Sequence, residues 1–253
     1  MKTAYSIMVA TFLIIGVINV ANSENFALLF DGKGGHVSCG FNKLPVGDEP
    51  RTEEAWIITT SPDGYQQVVG YGTAGVNNSA FAIFTKGKDV VITQWGASTA
   101  IPCDINDGKW HHLAVTHDGK SKQTIYVDGK NVGNWNQTLN TVIKTCVIGS
   151  CLNEIEQFFN GTIDEVRIWD VERTEKEIQD NMNKSLTGKE PNLVSSWSFN
   201  EGDGTTANDS TVNKNHGTLA NGAKWVNSDA PIELLSVETI GKLIATWAKI
   251  RNN

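Results

Sequence analysis

Glu154 and Glu156 stand two residues apart, a spacing that could do acid–base chemistry. In an extended segment such residues face one side. A retaining glycosidase needs two carboxyl groups about 5–5.5 Å apart. The next alternating position holds Phe158, however, and Asp164 and Glu165 are adjacent, so on a strand they point apart. Hydrolysis of a glycoside therefore stands as the alternative reading and binding as the first. The histidines add no second chemistry. His111 and His112 are neighbours that a strand would aim at opposite faces, and His117 falls in a turn. The chain has no H-E-x-x-H motif for a metal and no G-x-S-x-G elbow for a nucleophilic serine. The aromatic residues suggest recognition instead, because flat amphipathic rings suit the faces of sugars. Tyr65, Tyr71, Trp95 and Trp135 lie in or beside Gly/Asn-rich stretches. Of these, Tyr71 and Trp95 are the expected ligand contacts. Trp56, Trp110 and Trp169 sit inside apolar runs and are expected to pack.

These groups must be positioned by strands. From Asn25 to about Val226 short β-branched and aromatic runs alternate with Gly, Asn and Asp, the texture of a sandwich or barrel. Runs at Phe26–Phe30, His36–Ser38, Ala55–Thr59, Gln67–Gly70, Ala80–Phe84 and Val90–Gln94 read as strands. The stretch Asp107–Val132 reads as two consecutive hairpins, with Asp128-Gly129 as a tight turn that needs positive φ. Gly161–Trp169 is another strand, and Trp197 and Phe199 lie in a later one. Thr174-Glu175-Lys176-Glu177 spells a capping box, so a short helix should run to about Asn183. After Ser236, Ile240, Leu243, Ile244, Trp247 and Ile250 keep helical spacing and predict a C-terminal helix.

The N-terminus carries an address. Lys2, an apolar run from Ile7 to Val20 and the small residues of Ala21-Asn22-Ser23 form a secretory signal pattern, which predicts cleavage after Ser23 and a secreted, extracellular protein. The run is short for a membrane span, and none is expected in the mature chain. The formal charge of −7 argues against nucleic acid, whose phosphates select a basic surface. In an exported chain the four cysteines, Cys39, Cys103, Cys146 and Cys151, allow up to two disulfides, with three possible pairings between which the spacing does not choose. The expected organisation is a signal peptide over 1–23, one domain over 24–228 and a helical tail over 229–253.

The motifs resemble a known family. Phe30-Asp31-Gly32 and Glu54-Ala55-Trp56-Ile57 look like the first core strands of laminin G-like, concanavalin A-like and pentraxin-related jelly rolls. Asp107-Gly108-Lys109-Trp110-His111-His112-Leu113-Ala114-Val115-Thr116 and Ile125-Tyr126-Val127-Asp128-Gly129 are similar to that family's central hairpin. Gly161-Thr162-Ile163-Asp164-Glu165-Val166-Arg167-Ile168-Trp169 and the helix at Arg173–Ile178 resemble its penultimate strand and following helix. Trp197-Ser198-Phe199-Asn200-Glu201-Gly202 and Asn215-His216-Gly217-Thr218-Leu219 resemble a later piece. The resemblance implies an all-β, two-sheet antiparallel jelly-roll sandwich with one short helix. It also implies a secreted binding or adhesion module for glycans or glycoproteins, not an enzyme. Laminarinase-like glycosidases on the same scaffold are the alternative, and a structural extracellular domain without a small ligand is a third.

The resemblance further implies a structural calcium ion held by Asp31 and Asp164. Calcium takes 6–8 oxygen ligands at about 2.3–2.6 Å. Asp164 interrupts an apolar strand, where a bare carboxylate is costly to bury. The disulfide typical of pentraxins does not map here, because the corresponding strand positions hold no cysteine. Their acidic calcium loop is echoed only by Asn153, Glu154 and Glu156.

Overall fold

A computed structural model describes residues 25–62 and 64–233. The expected signal segment and the expected C-terminal helix lie outside the described residues. Sixteen strands and one helix follow in order: β1 (Phe26–Asp31), β2 (His36–Cys39), β3 (Arg51–Ile58), β4 (Tyr65–Gly72), β5 (Phe81–Lys86), β6 (Asp89–Thr93), β7 (Ser98–Pro102), β8 (His111–His117), β9 (Lys122–Val127), β10 (Lys130–Asn136), β11 (Thr145–Ile148), β12 (Asn160–Trp169), α1 (Glu175–Asn181), β13 (Leu193–Trp197), β14 (Thr206–Ala207), β15 (Gly217–Ala220) and β16 (Lys224–Asn227). They form two eight-stranded antiparallel sheets. The first runs β10-β9-β8-β3-β12-β1-β16, with β13 also on β12; the second runs β14-β15-β2-β11-β4-β5-β6-β7. The described chain is thus an all-β jelly-roll sandwich with one short helix, as its sequence implies. No helix among the described residues is long and apolar enough to cross a membrane.

Strand alternation makes the core. Leu28, Phe30, Ala55, Ile57, Leu113, Val115, Ile125, Ile163, Val166 and Ile168 of the first sheet meet Val69, Phe81, Ile83, Val90, Ile92 and Ile148 of the second in one buried cluster. The Asp107–Val132 stretch forms β8, β9 and the start of β10. Asp128 and Gly129 both take positive φ, 51° and 73°, the geometry of a type I′ hairpin. Trp110 falls just outside β8 and is half-buried; its Nε1 donates to Asp229 at 2.7 Å.

β3 begins four residues earlier than its apolar run, at Arg51, and Arg51, Glu53 and Glu54 are fully buried. Arg51 points between the sheets, where its guanidinium donates to the carbonyls of Pro45, Val46 and Gly47 and to the hydroxyl of Thr141. Glu54 points the other way, under α1. Its Oε1 accepts from Trp169 Nε1 at 2.8 Å, and His112 Nε2 and Arg167 Nη1 lie 3.4 and 3.8 Å from its oxygens. Burial pushes the Glu54 carboxyl up, but His112, Arg167 and Arg173 more than reverse this and hold it at about 2. Arg167 also pairs with Glu165 at 2.8 Å and donates to the carbonyls of Asn181 and Lys184. A buried charge survives only when so partnered. This cluster ties α1 and the chain after it to the outer face of the first sheet. The helix carries its expected capping box on Thr174 and Glu177.

Candidate functional site

The outer face of the second sheet is arranged differently. Ala82, Phe84 and Val91 alternate with core residues and form a small apolar cluster of their own, and Val147, Ala80 and Leu152 form another. A loop spanning Gly149–Phe159 covers this face. Its base is closed by hydrogen bonds from Gly149 N to Val68 O and from Phe159 N to Gly149 O, both 2.9 Å. Gly149 is required at this bend: its φ is 83°, and a Cβ there would lie 2.5 Å from the Phe30 ring. Gln67 N donates to Gln157 O, which pins the far side of the loop to β4.

Between this loop and the β6–β7 hairpin lies a cleft of about 270 Å³. The loop contributes Cys151, Glu156 and Gln157; the sheet contributes Tyr65, Phe84, Thr93 and Ser98; the hairpin tip contributes Trp95 and Gly96. Trp95 and Gly96 are the two central residues of a tight turn closed by Gln94 N to Ala97 O at 3.1 Å, with φ of 63° and 87°. A type I′ turn normally holds Asn-Gly. A tryptophan in left-handed backbone is an outlier, and such strain concentrates at functional sites. The Trp95 ring packs against the Ala80–Val147–Leu152 cluster while staying half-buried, so one side is supported and part remains open. Tyr65 is 40% exposed, with Lys86 Nζ 4.9 Å from its ring centre. Glu156 Oε1 accepts from Asn153 Nδ2 at 3.2 Å. Burial pushes the Cys151 thiol upward, which disfavours its thiolate.

Trp95 thus lies in a cleft, and Tyr71 does not. Tyr71 is in β4, fully buried between the sheets, its ring 6.4 Å from Phe81 and its hydroxyl accepting from Arg51 Nη1 at 3.2 Å. The expectation of a loop position for Tyr71 is corrected: its Gly-rich neighbourhood is the end of a core strand. Tyr65, grouped with it in sequence, is the tyrosine that reaches the cleft.

Asp31 and Asp164 are not brought together. Asp31 pairs with Asn160 in the β1–β12 register, four residues from Asp164 along β12, which is about 13 Å of strand. Two ligands of one calcium ion would be within about 5 Å of each other. Asp31 is exposed and accepts from Lys33 N at 3.0 Å, an ordinary turn contact. Asp164 is buried and accepts from Glu165 N at 2.8 Å and from Ser228 Oγ at 2.7 Å. Burial, aided by the charge of Glu165, raises its carboxyl to about 8 despite the Ser228 hydrogen bond. A carboxyl kept neutral this way fits a hydrogen-bonded structural role. Among the described residues no cluster of three or more His, Cys, Asp or Glu is placed to hold a metal.

Glu154 and Glu156 part company as well. Glu154 turns to β2, where Oε1 accepts from Ser38 Oγ at 2.8 Å and Oε2 lies 3.6 Å from His36 Nε2. Among the described residues lining the cleft, Glu156 is the single carboxylate.

Residues 31–179 match the family model of the concanavalin A-like lectin/glucanases superfamily. The chain belongs to this superfamily. The chain is similar to the structure of a candidate carbohydrate-binding protein from Bacteroides ovatus, with 22% identity and a TM-score of 0.66 over 83% of this chain and 62% of that one. It therefore spans under two thirds of that protein's length. It is also similar to a heptameric SAP-like pentraxin from Limulus polyphemus, with 15% identity and a TM-score of 0.57 over 82% of this chain and 97% of the other. At these identities the likeness establishes the concanavalin A-like fold and no ligand.

Proposed function

We propose that this protein is a secreted carbohydrate-binding module whose glycan site is the cleft between the β6–β7 hairpin and the Gly149–Phe159 loop. The observation that carries the reading is Trp95, a large aromatic ring held in left-handed backbone in a cleft of mixed polar and apolar lining. The ring offers a flat apolar surface to a sugar face. Glu156, Gln157, Thr93 and Ser98 supply the hydrogen-bonding groups that hydroxyls need, and Tyr65 adds a second ring. The volume suits one or two sugar rings at the small end of ligand sites.

Binding is favoured over hydrolysis by the carboxylates. A glycosidase of the two-carboxylate kind needs a pair across the scissile bond, and the cleft offers Glu156 while Glu154 is committed to Ser38 and His36. Calcium bridged by Asp31 and Asp164 is no part of this reading, because the register separates them. Screening the full chain on a glycan array, in EGTA and in millimolar calcium, tests the proposal. Retention of one glycan class under both conditions supports it, and hydrolysis of an arrayed glycan would replace it with the enzymatic reading.

A further inference from the structure

The four cysteines are not equivalent in the sheet. Cys39 of β2 and Cys146 of β11 are direct Cα partners in an antiparallel register, and both side chains lie in the core between the sheets. Directly opposed residues on such strands have Cα atoms about 4.5–5.5 Å apart, inside the roughly 4.4–6.8 Å that a disulfide spans. On the other side of β2, Cys39 faces Gly217, where a Cβ would come within 3.2 Å of the Cys39 sulfur. The same Cβ would lie closer still to Val37 Cγ1, so the glycine leaves room first for Val37 and then for the sulfur.

Cys103 and Cys151 are kept apart. Cys103 follows Pro102, which pairs with Asp89 at one end of the β6–β7 hairpin. Cys151 lines the cleft beside Thr93 and Ser98, which pair with each other at the opposite end. Four strand positions are about 13 Å, well beyond the roughly 7 Å limit for bridging.

We propose that Cys39 and Cys146 form a cross-strand disulfide and that Cys103 and Cys151 remain thiols. The oxidant is a small-molecule disulfide of the glutathione type. A protein thiolate attacks it, its S–S bond breaks, and one glutathione thiol leaves. The second protein thiolate then attacks the mixed disulfide, forming the Cys39–Cys146 bond and releasing the second glutathione thiol. Two electrons pass from the protein thiols to the oxidant, and the protons end on the two glutathione thiols. The hydrogen bond with Cys39, followed by burial, pushes the Cys146 thiol well above its ordinary range. Its thiolate is therefore scarce in the closed sandwich, and exchange belongs to the folding phase, before the sheets close.

The test is to refold the reduced full chain in oxidised and reduced glutathione, quench with acid, denature, and alkylate with iodoacetamide. Peptide mass mapping should show two alkylated cysteines, Cys103 and Cys151, and one linked pair, Cys39–Cys146. A Cys103→Ser/Cys151→Ser variant retains only the proposed pair and should take up no alkylating reagent after the same treatment. Four alkylations in the wild type, two in the variant, or a linked peptide containing Cys103 or Cys151 would overturn the proposal. None of these outcomes depends on whether the cleft binds a glycan.

Discussion

Replacing Asp164 by Asn should stabilise the protein at neutral pH and leave it nearly unchanged in acid. The carboxyl sits buried on β12 between Glu165 N and Ser228 Oγ, and burial raises its value from 3.8 to about 8. The folded value lies above the unfolded one. The contribution of this group is therefore fully present below about pH 4 and is lost as pH climbs toward 8. Between pH 4 and pH 7 lie about three pH units at about 1.4 kcal/mol each, so the loss by pH 7 reaches at most about 4 kcal/mol. An amide is neutral in both states and can present the same acceptor to Glu165 N and a donor to Ser228 Oγ. Glu54, held at about 2, shapes stability in the opposite sense but is common to both proteins and cancels in the comparison. Urea unfolding of wild type and Asp164→Asn at pH 4 and pH 7 measures the effect. The variant's stability relative to wild type should rise by about 2–4 kcal/mol between the two pH values. An equal difference at both would refute the claim that this carboxyl is held neutral by the fold.

Ile168→Ala removes a fully buried side chain from the core between the sheets and should cost about 2–5 kcal/mol, read as a lowered denaturation midpoint with unchanged m. Tyr71→Phe removes the hydroxyl that accepts from Arg51 while Arg51 keeps Thr141 and the Pro45 carbonyl. It should cost about 0.5–1.5 kcal/mol in the same assay and leave glycan binding untouched.

Period-2 alternation and turn glycines were enough to place β8 and β9, and the capping box to place α1, because each is decided by local pattern; the strand at β12 was legible too, but not the irregularity between Asp164 and Arg167 that puts Ile163, Val166 and Ile168 on one core face. The Arg51–Glu54 end of β3 was not legible, since the apolar run begins at Ala55 and three charged residues give no burial signal until their partners, drawn from β8, β12 and the Pro45–Gly47 segment, are assembled. Distinguishing Tyr71 from Tyr65 failed for a related reason: both adjoin glycine, and only the β4–β5 pairing shows which one faces the core. Trp95-Gly96 does carry a local signal, a tryptophan in a two-residue turn position between strands. Cys39 and Cys146, 107 positions apart, become neighbours only through the β2–β11 register, so the sequence left their pairing open.

The central claim is that the cleft beside Trp95 binds carbohydrate. Isothermal titration of the glycan retained on the array, against wild type, Trp95→Ala and Tyr71→Phe, tests it most directly. Wild type and Tyr71→Phe should bind with equal affinity, and Trp95→Ala should stay folded, with a midpoint lowered by the lost packing on Ala80, Val147 and Leu152, but lose at least tenfold in affinity, about 1.4 kcal/mol. Unchanged affinity in Trp95→Ala would contradict the account.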